Sequence, residues 1–261
     1  MRFAVTSALV LATLATLSGQ PGAPRAPAPS ARREPAVPFA VGETLTYEVS
    51  WSSVLMAGTA VATVKEKAPS SGSAAYTIVA EGRPIPIVAR LYALYYKMDT
   101  LLDSVTLLSH RGSLYAEEGK DRRTSITTFD RAAKRVFFEE RSDASTKVDY
   151  AVPTATQDGL STLYFIRSRT FKTGDRILVP VADSGTLYNV DIIVGAPELV
   201  KVPFGQTMAW PLKGVIKDID GTPVWNNIVV WISNDARRLP VKMRADLAIG
   251  SFVLALRDYH P

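Results

Sequence analysis

Thr44-Leu45-Thr46-Tyr47-Glu48-Val49-Ser50-Trp51 decides the fold. Leu45, Tyr47, Val49 and Trp51 alternate strictly with Thr44, Thr46, Glu48 and Ser50. Period two is the mark of a strand with one face on a core and the other in water. The pattern recurs along the chain. Tyr76, Ile78 and Ala80 alternate with Thr77 and Glu81, and Tyr188, Val190, Ile192 and Val194 with Asn189 and Asp191. Val241, Met243, Ala245 and Leu247 alternate with Lys242, Arg244 and Asp246. Ile228-Val229-Val230-Trp231-Ile232 is apolar on both faces, so it reads as a strand covered on both sides. Ser71-Gly72, Asp183-Ser184-Gly185, Asp220-Gly221 and Asn234-Asp235 supply turn chemistry between such runs. About ten or more strands with short connections predict a mainly β protein: one strongly curved antiparallel sheet, half-barrel or barrel-like.

Two segments break the period. Residues 86–98 place Ile87, Leu91, Leu94, Tyr95 and Met98 on one helical face, with Pro86 suited to the first turn. Val88, Tyr92 and Tyr96 make the opposite side apolar as well, which predicts a helix that is buried or touches something greasy. Residues 158–171 form the second segment, with Asp158 as N-cap and Leu160, Leu163, Tyr164, Arg167 and Phe171 on one face. Gly58, Ala60 and Ala62 line one face of a strand with small residues, which permits close approach by another element. The expectation is therefore two helices packed on the concave face, the first lying across the small residues. Leu91, Tyr92, Tyr95 and Ala60 are the candidate ligand-binding residues. Core packing is the first reading of the tyrosines, and the wall of an apolar cavity is the second.

The remainder of the chain defines compartment and organisation. Met1-Arg2, an uncharged apolar run over 3–17, and Thr16-Leu17-Ser18 read as a secretory signal peptide over 1–18, cleaved near Ser18. A transmembrane anchor needs about 20 apolar residues, more than this run has. Residues 19–38 hold Pro21, Pro24, Pro27, Pro29, Pro35 and Pro38 and read as a disordered Pro/Ala-rich tether before a single β-rich domain over 39–261. The expected location is exported, periplasmic or secreted, with no transmembrane segment in the mature form. The net charge of +5 belongs mostly to the leader and tether. Without Arg2, Arg25, Arg32, Arg33 and Glu34, the 30 basic and 25 acidic side chains fall to 26 and 24. That near-balance argues against a nucleic-acid partner. The absence of cysteine excludes disulfides, thiolate metal sites and cysteine nucleophiles.

Several phrases together resemble the bacterial exported family catalogued as domain of unknown function 3108. They are Val41-Gly42-Glu43-x-Leu45-x-Tyr47-x-Val49, then Gly58-x-Ala60, then Asp158-Gly159-Leu160-Ser161-x-Leu163-Tyr164-Phe165-Ile166-Arg167. Val230-Trp231-Ile232-Ser233-x-Asp235-x-Arg237-Arg238-Leu239-Pro240-Val241 and Gly250-Ser251 complete the set. The resemblance implies export and a mostly β fold, and brings no reaction, ligand or catalytic residue. In architecture alone the chain is also similar to half-barrel lipoprotein carriers of the bacterial envelope, whose sheet wraps apolar helices around an acyl-binding cavity.

Candidate chemistry is sparse. Ser161 lacks a Gly-x-Ser-x-Gly elbow and reads as part of a helix cap. Asp218-Ile219-Asp220-Gly221 reads as a hairpin turn, since the later acidic ligands of a calcium loop are missing. Glu117-Glu118 and Glu139-Glu140 are adjacent in strands and so point to opposite faces. Arg237-Arg238 read first as locally paired turn charges and second as an anion or partner contact at the sheet rim. Arg167 falls on an apolar helix face, which demands a carboxylate from the sheet. The expected protein is a non-enzymatic carrier of an apolar or amphiphilic, lipid-like ligand, with no cofactor, metal or catalytic residue. The alternatives are an assembly factor binding another envelope protein through the curved sheet, and a hydrolase with an unrecognised site.

Overall fold

The computed structural model describes residues 33–52, 55–70, 72–247 and 250–261. The expected signal peptide and most of the expected tether lie outside them. From Thr44–Trp51 (β1) the chain runs through Leu55–Ser70 (β2), Ser73–Pro84 (β3), Pro86–Leu91 (α1), Leu94–Asp103 (β4) and Ser109–Glu118 (β5). Asp121–Asp130 (β6), Arg135–Arg141 (β7), Ser145–Ala151 (β8) and Gly159–Arg167 (α2) follow. The second half holds Arg176–Asp183 (β9), Thr186–Val194 (β10), Glu198–Val202 (β11), Gly205–Lys217 (β12), Pro223–Ser233 (β13), Pro240–Leu247 (β14) and Gly250–His260 (β15). All strands join one antiparallel sheet in the order β8-β7-β6-β5-β4-β3-β2-β1-β15-β14-β13-β12-β10-β9, with β11 paired to β12 off this path. The mainly β, curved-sheet expectation holds.

Curvature brings the two ends of the sheet together without closing it. Phe129 and Val136 from one end share a core cluster with Val152 and with Ala182 of β9 at the other. Gln157, just before α2, bridges in parallel to Val181 of β9. Edge strands β8 and β9 are not themselves paired.

Helix α2 fills part of the hollow. Leu160 and Tyr164 join Val64, Ile78 and Leu102 in one cluster. Ile166 joins Val179, Ile192, Leu212 and Ile232 in another, with Phe171 just beyond the helix. Each such side chain, fully buried, contributes roughly 1.5–3 kcal/mol. The Asp158 cap forms as expected, in a capping box: the Asp158 carboxylate accepts from the Ser161 N–H at 2.8 Å, and the Asp158 N–H donates to Ser161 Oγ at 2.9 Å. Gly112 makes this approach possible, because a Cβ there would press on the Asp158 side chain at 3.0 Å.

Two boundaries differ from the sequence reading. The expected helix over 86–98 ends at Leu91, and Leu94–Asp103 is strand β4. A short apolar run is ambiguous in period, and ladders to β3 and β5 on both sides outweigh a helix of this length. Moreover, α1 buries no side chain: Ile87 is 66% and Leu91 84% exposed. It caps the sheet rim instead of lying across Gly58, Ala60 and Ala62. The hairpin of β11 and β12 takes part of that place, burying Val200, Val202 and Ala209 with Leu45, Tyr47 and Ala62. The tether reading also runs too far. Glu34 pairs with Lys67 at 2.5 Å and accepts from Ser104 at 2.7 Å, Val37 packs on the core, and the Pro38 carbonyl accepts from Arg167.

Candidate functional site

Directly paired residues of neighbouring strands share a face, so register defines the concave surface. Tyr47 pairs with Ala60, Ala60 with Gly82, Gly82 with Tyr96, and Tyr96 with Ala116. On the other side of β1, Val49 pairs with Leu254, Leu254 with Met243, and Met243 with Val230. Deep in the hollow this surface is sealed: Tyr47, Ala62, Ile78 and Leu212 are buried. Toward the α1 rim it is not. Val49, Ala60, Tyr96, Met98, Met243 and Leu254 all stay partly exposed, and Leu163 and Phe165 of α2 are partly exposed beside them. Gly82 lies in the middle, and a Cβ there would meet nothing within 4 Å. The result is an apolar trough with a small-residue floor.

At its mouth the trough turns polar. The Tyr96 hydroxyl donates to Glu118 Oε1, and Arg123, which pairs with Ala116, holds Glu118 Oε2 at 3.2 Å. Burial and the Glu118 hydrogen bond push the Tyr96 phenol up to about 12. A cavity of about 60 Å³ lies between β4, β5 and the start of α2, lined by Met98, Gly112, Ser125 and Asp158. It has room for water and is far below the ~300 Å³ lower end of ligand pockets. Burial pushes the Asp158 carboxyl above the usual range, opposed by hydrogen bonds from Thr100 Oγ1 at 2.6 Å and from the Ser161 N–H.

The candidate residues do not share one wall. Ala60 lies on the trough floor. Tyr95, one residue from Tyr96, falls on the outer face, beneath the Arg83 guanidinium and against Tyr115. Leu91 and Tyr92 stand exposed on the rim. Tyr92 packs over Gly119, where a Cβ would meet its ring at 2.9 Å. Arg237 pairs with Asp235 at 2.6 Å, and Arg238 donates to the Arg169 carbonyl, just past the end of α2. Sequence reasoning missed Gly82 and Arg123 as trough residues and grouped Tyr96 with Tyr92 and Tyr95 as one possible cavity wall. Only strand register separates Tyr96 from its neighbours and puts it on one face with Gly82 and Arg123.

The α1 rim itself is apolar. Of fifteen large hydrophobic side chains exposed among the described residues, eight stand there. Trp51 and Met56 flank the β1–β2 connection, Ile87, Leu91 and Tyr92 belong to α1 and its end, and Ile219, Val224 and Trp225 surround the β12–β13 turn. Antiparallel pairing puts all three connections at the same end of the strands. No helix among the described residues is long and apolar enough to cross a membrane.

The chain is similar to known proteins in fold. It superposes on a β-barrel-like protein of the domain of unknown function DUF1849 from Brucella abortus with a TM-score of 0.53 at 11% identity, covering 84% of this chain and 97% of that one. A protein with a YmcC-like fold from Bacteroides fragilis matches at TM-score 0.35 and 12% identity, over 88% of this chain and 100% of that one. No curated protein matches the sequence. Residues 46–257 match the family model described as Protein of unknown function (DUF3108), so the chain belongs to the DUF3108 family.

Proposed function

We propose that the chain is an exported bacterial envelope protein that carries an amphiphilic ligand without chemically changing it. The observation that carries this reading is the half-open apolar trough with a polar mouth. An acyl or comparable apolar chain would lie over Ala60 and Gly82 between Val49 and Phe165, and its polar end would meet Arg123, Glu118 and the Tyr96 hydroxyl. Ligand sites are typically apolar concavities with a few convergent polar groups, and this one has that composition. Small floor residues lower the contact surface without opening the backbone ladder. The N-terminal leader supports export. Asp158 and Ser161, the residues nearest to a catalytic pairing, serve the α2 cap, which favours binding over reaction. Native mass spectrometry of protein purified from its own envelope, before and after organic extraction, tests the reading. An extractable adduct of lipid mass is expected; protein that carries none, and takes up no fatty acyl probe when supplied, removes the carrier function.

A further inference from the structure

We infer that the α1 rim docks on a lipid bilayer, so that the trough opens toward the surface that supplies its amphiphile; the second half of this statement rests on the carrier reading, the docking on the rim alone. The rim projects single apolar side chains from separate connections, among them Trp51, Leu91 and Trp225. Separated tips do not form the continuous groove that receives a helix, but each can enter a fluid interface independently. Trp51, Tyr92 and Trp225 have amphipathic rings, which favour the headgroup level of a membrane.

Charge complementarity points the same way. Arg90 on α1 and Lys120 in the β5–β6 turn have no carboxylate partner among the described residues, and both stand beside the apolar tips. Basic side chains next to apolar tips suit an anionic headgroup layer. The β12–β13 turn is different: Ile219 sits between Asp218 and Asp220, whose carboxylates accept from the Ile219 and Thr222 N–H groups at 2.5 and 2.8 Å. Contact with an anionic surface is therefore strongest on the α1 side. The trough ends at this same rim, with the polar cluster of Tyr96, Glu118 and Arg123 at the headgroup level.

Vesicle flotation of the full chain as its host produces it tests the docking. Phosphatidylethanolamine–phosphatidylglycerol vesicles should carry the wild type, phosphatidylcholine vesicles less of it, and added salt should reduce the difference. Leu91→Glu should bind roughly tenfold more weakly, since it withdraws one buried aliphatic side chain and adds a repelled charge. Leu199→Glu, also well exposed but on β11 away from this rim, should bind like the wild type. Arg90→Glu should abolish the preference for the anionic vesicles. Both replaced leucines are exposed, and an unchanged circular dichroism spectrum confirms the fold of each variant. Wild type that floats with neither vesicle overturns the inference. So does equal loss from Leu91→Glu and Leu199→Glu, or rim variants that keep full vesicle binding while losing a protein partner. Rim-dependent flotation without acyl-probe uptake upholds the docking and removes the carrier reading; probe uptake without flotation does the reverse.

Discussion

Arg167 and Glu43, 124 positions apart, meet as a bidentate ion pair, with Nη1–Oε1 at 2.6 Å and Nη2–Oε2 at 2.8 Å and both side chains sealed from solvent. Arg167 Nε also donates to the Arg238 carbonyl at 3.0 Å, and Nη2 to those of Pro38 and Arg237. One guanidinium thus ties the end of α2 to the approach to β1, to the N-terminal segment and to the β13–β14 connection. The ring faces of Phe39 and Tyr164 cover it at 5.5 and 5.0 Å. Such a pair gains little over a well-packed apolar replacement, because both ions lose their hydration, but leaving one partner alone is costly.

Arg167→Met should therefore cost about 3–5 kcal/mol, since it strands the Glu43 carboxylate in the core. The double variant Arg167→Met/Glu43→Leu should recover most of that loss. Urea unfolding of the wild type and the variants measures both; a single variant within ~1 kcal/mol of wild type contradicts the assigned burial.

Asp158 combines a cap with a buried charge, and two substitutions separate these roles. Burial raises its carboxyl pKa in the folded state, so its contribution favours folding at low pH and is lost as pH rises through that raised value. Asp158→Asn keeps a capping oxygen and removes the charge, so its stability at neutral pH should equal or exceed that of wild type. Asp158→Ala loses the cap and should cost about 0.5–2 kcal/mol. Thermal unfolding at pH 5 and pH 8 measures both, and a large loss in Asp158→Asn would show that the ionised carboxylate itself is required.

Asp103 has the opposite sign. Burial pushes its carboxyl up, but hydrogen bonds from Ser73, Thr106 and the Val105 N–H prevail and hold it at about 2. Its contribution, up to about 2 kcal/mol, is present above the unfolded value near 3.9 and is lost as pH falls toward 2. Acid titration of stability should therefore be shallower between pH 4 and pH 2 in Asp103→Asn than in wild type. Equal slopes would mean that other carboxylates govern acid unfolding.

The contrast between Arg167 and the first helix shows what a single sequence reveals. A charge on an apolar helix face demands a carboxylate, which is local chemistry; that the carboxylate is Glu43 depends on tertiary contact 124 positions away. Residues 94–98 suit either period, and only the ladders to β3 and β5 decide for strand. Of the small residues Gly58, Ala60 and Ala62, Gly58 and Ala62 are buried, with no helix among the described residues lying across them, and only Ala60 stays partly exposed on the trough floor. Its other members come from separate strands, and a shift of one residue would exchange Tyr96 for Tyr95, which faces outward. The β11–β12 hairpin and α2 occupy the deeper hollow, so the open remnant of the floor is a result of assembly and has no local signature.

Exposure on the rim gives a stability prediction independent of ligand. Leu91→Ala should change stability by less than about 0.5 kcal/mol, because its side chain is 84% exposed. Leu45→Ala, at a fully buried site, should cost about 2–5 kcal/mol. Chemical unfolding measures the pair. A loss in Leu91→Ala approaching that of Leu45→Ala would return α1 to the core, where the sequence pattern alone puts it.

The trough is best tested by filling it from the floor. Gly82 lies within β3 without a positive φ, pairs with Ala60 and Tyr96, and would direct a side chain into open space. Gly82→Trp should therefore leave the fold intact and occupy the volume an acyl chain would take. Because the added ring covers partly exposed apolar neighbours, and replacing glycine reduces unfolded-state freedom, stability should hold or rise slightly. Ala60→Trp tests the adjoining position, where Tyr47 is the paired neighbour and some repacking is needed; its stability cost should stay within the ~1–3 kcal/mol of overpacking. Both variants should lose uptake of a fluorescent fatty acyl probe, whereas Tyr95→Ala, on the outer face, should retain it. Arg123→Ala should keep the apolar probe and weaken an anionic amphiphile selectively, since only the polar mouth is altered. Probe binding that survives Gly82→Trp and Ala60→Trp in folded protein would place the ligand elsewhere, and equal losses in Tyr95→Ala would show that the probe reports general surface hydrophobicity.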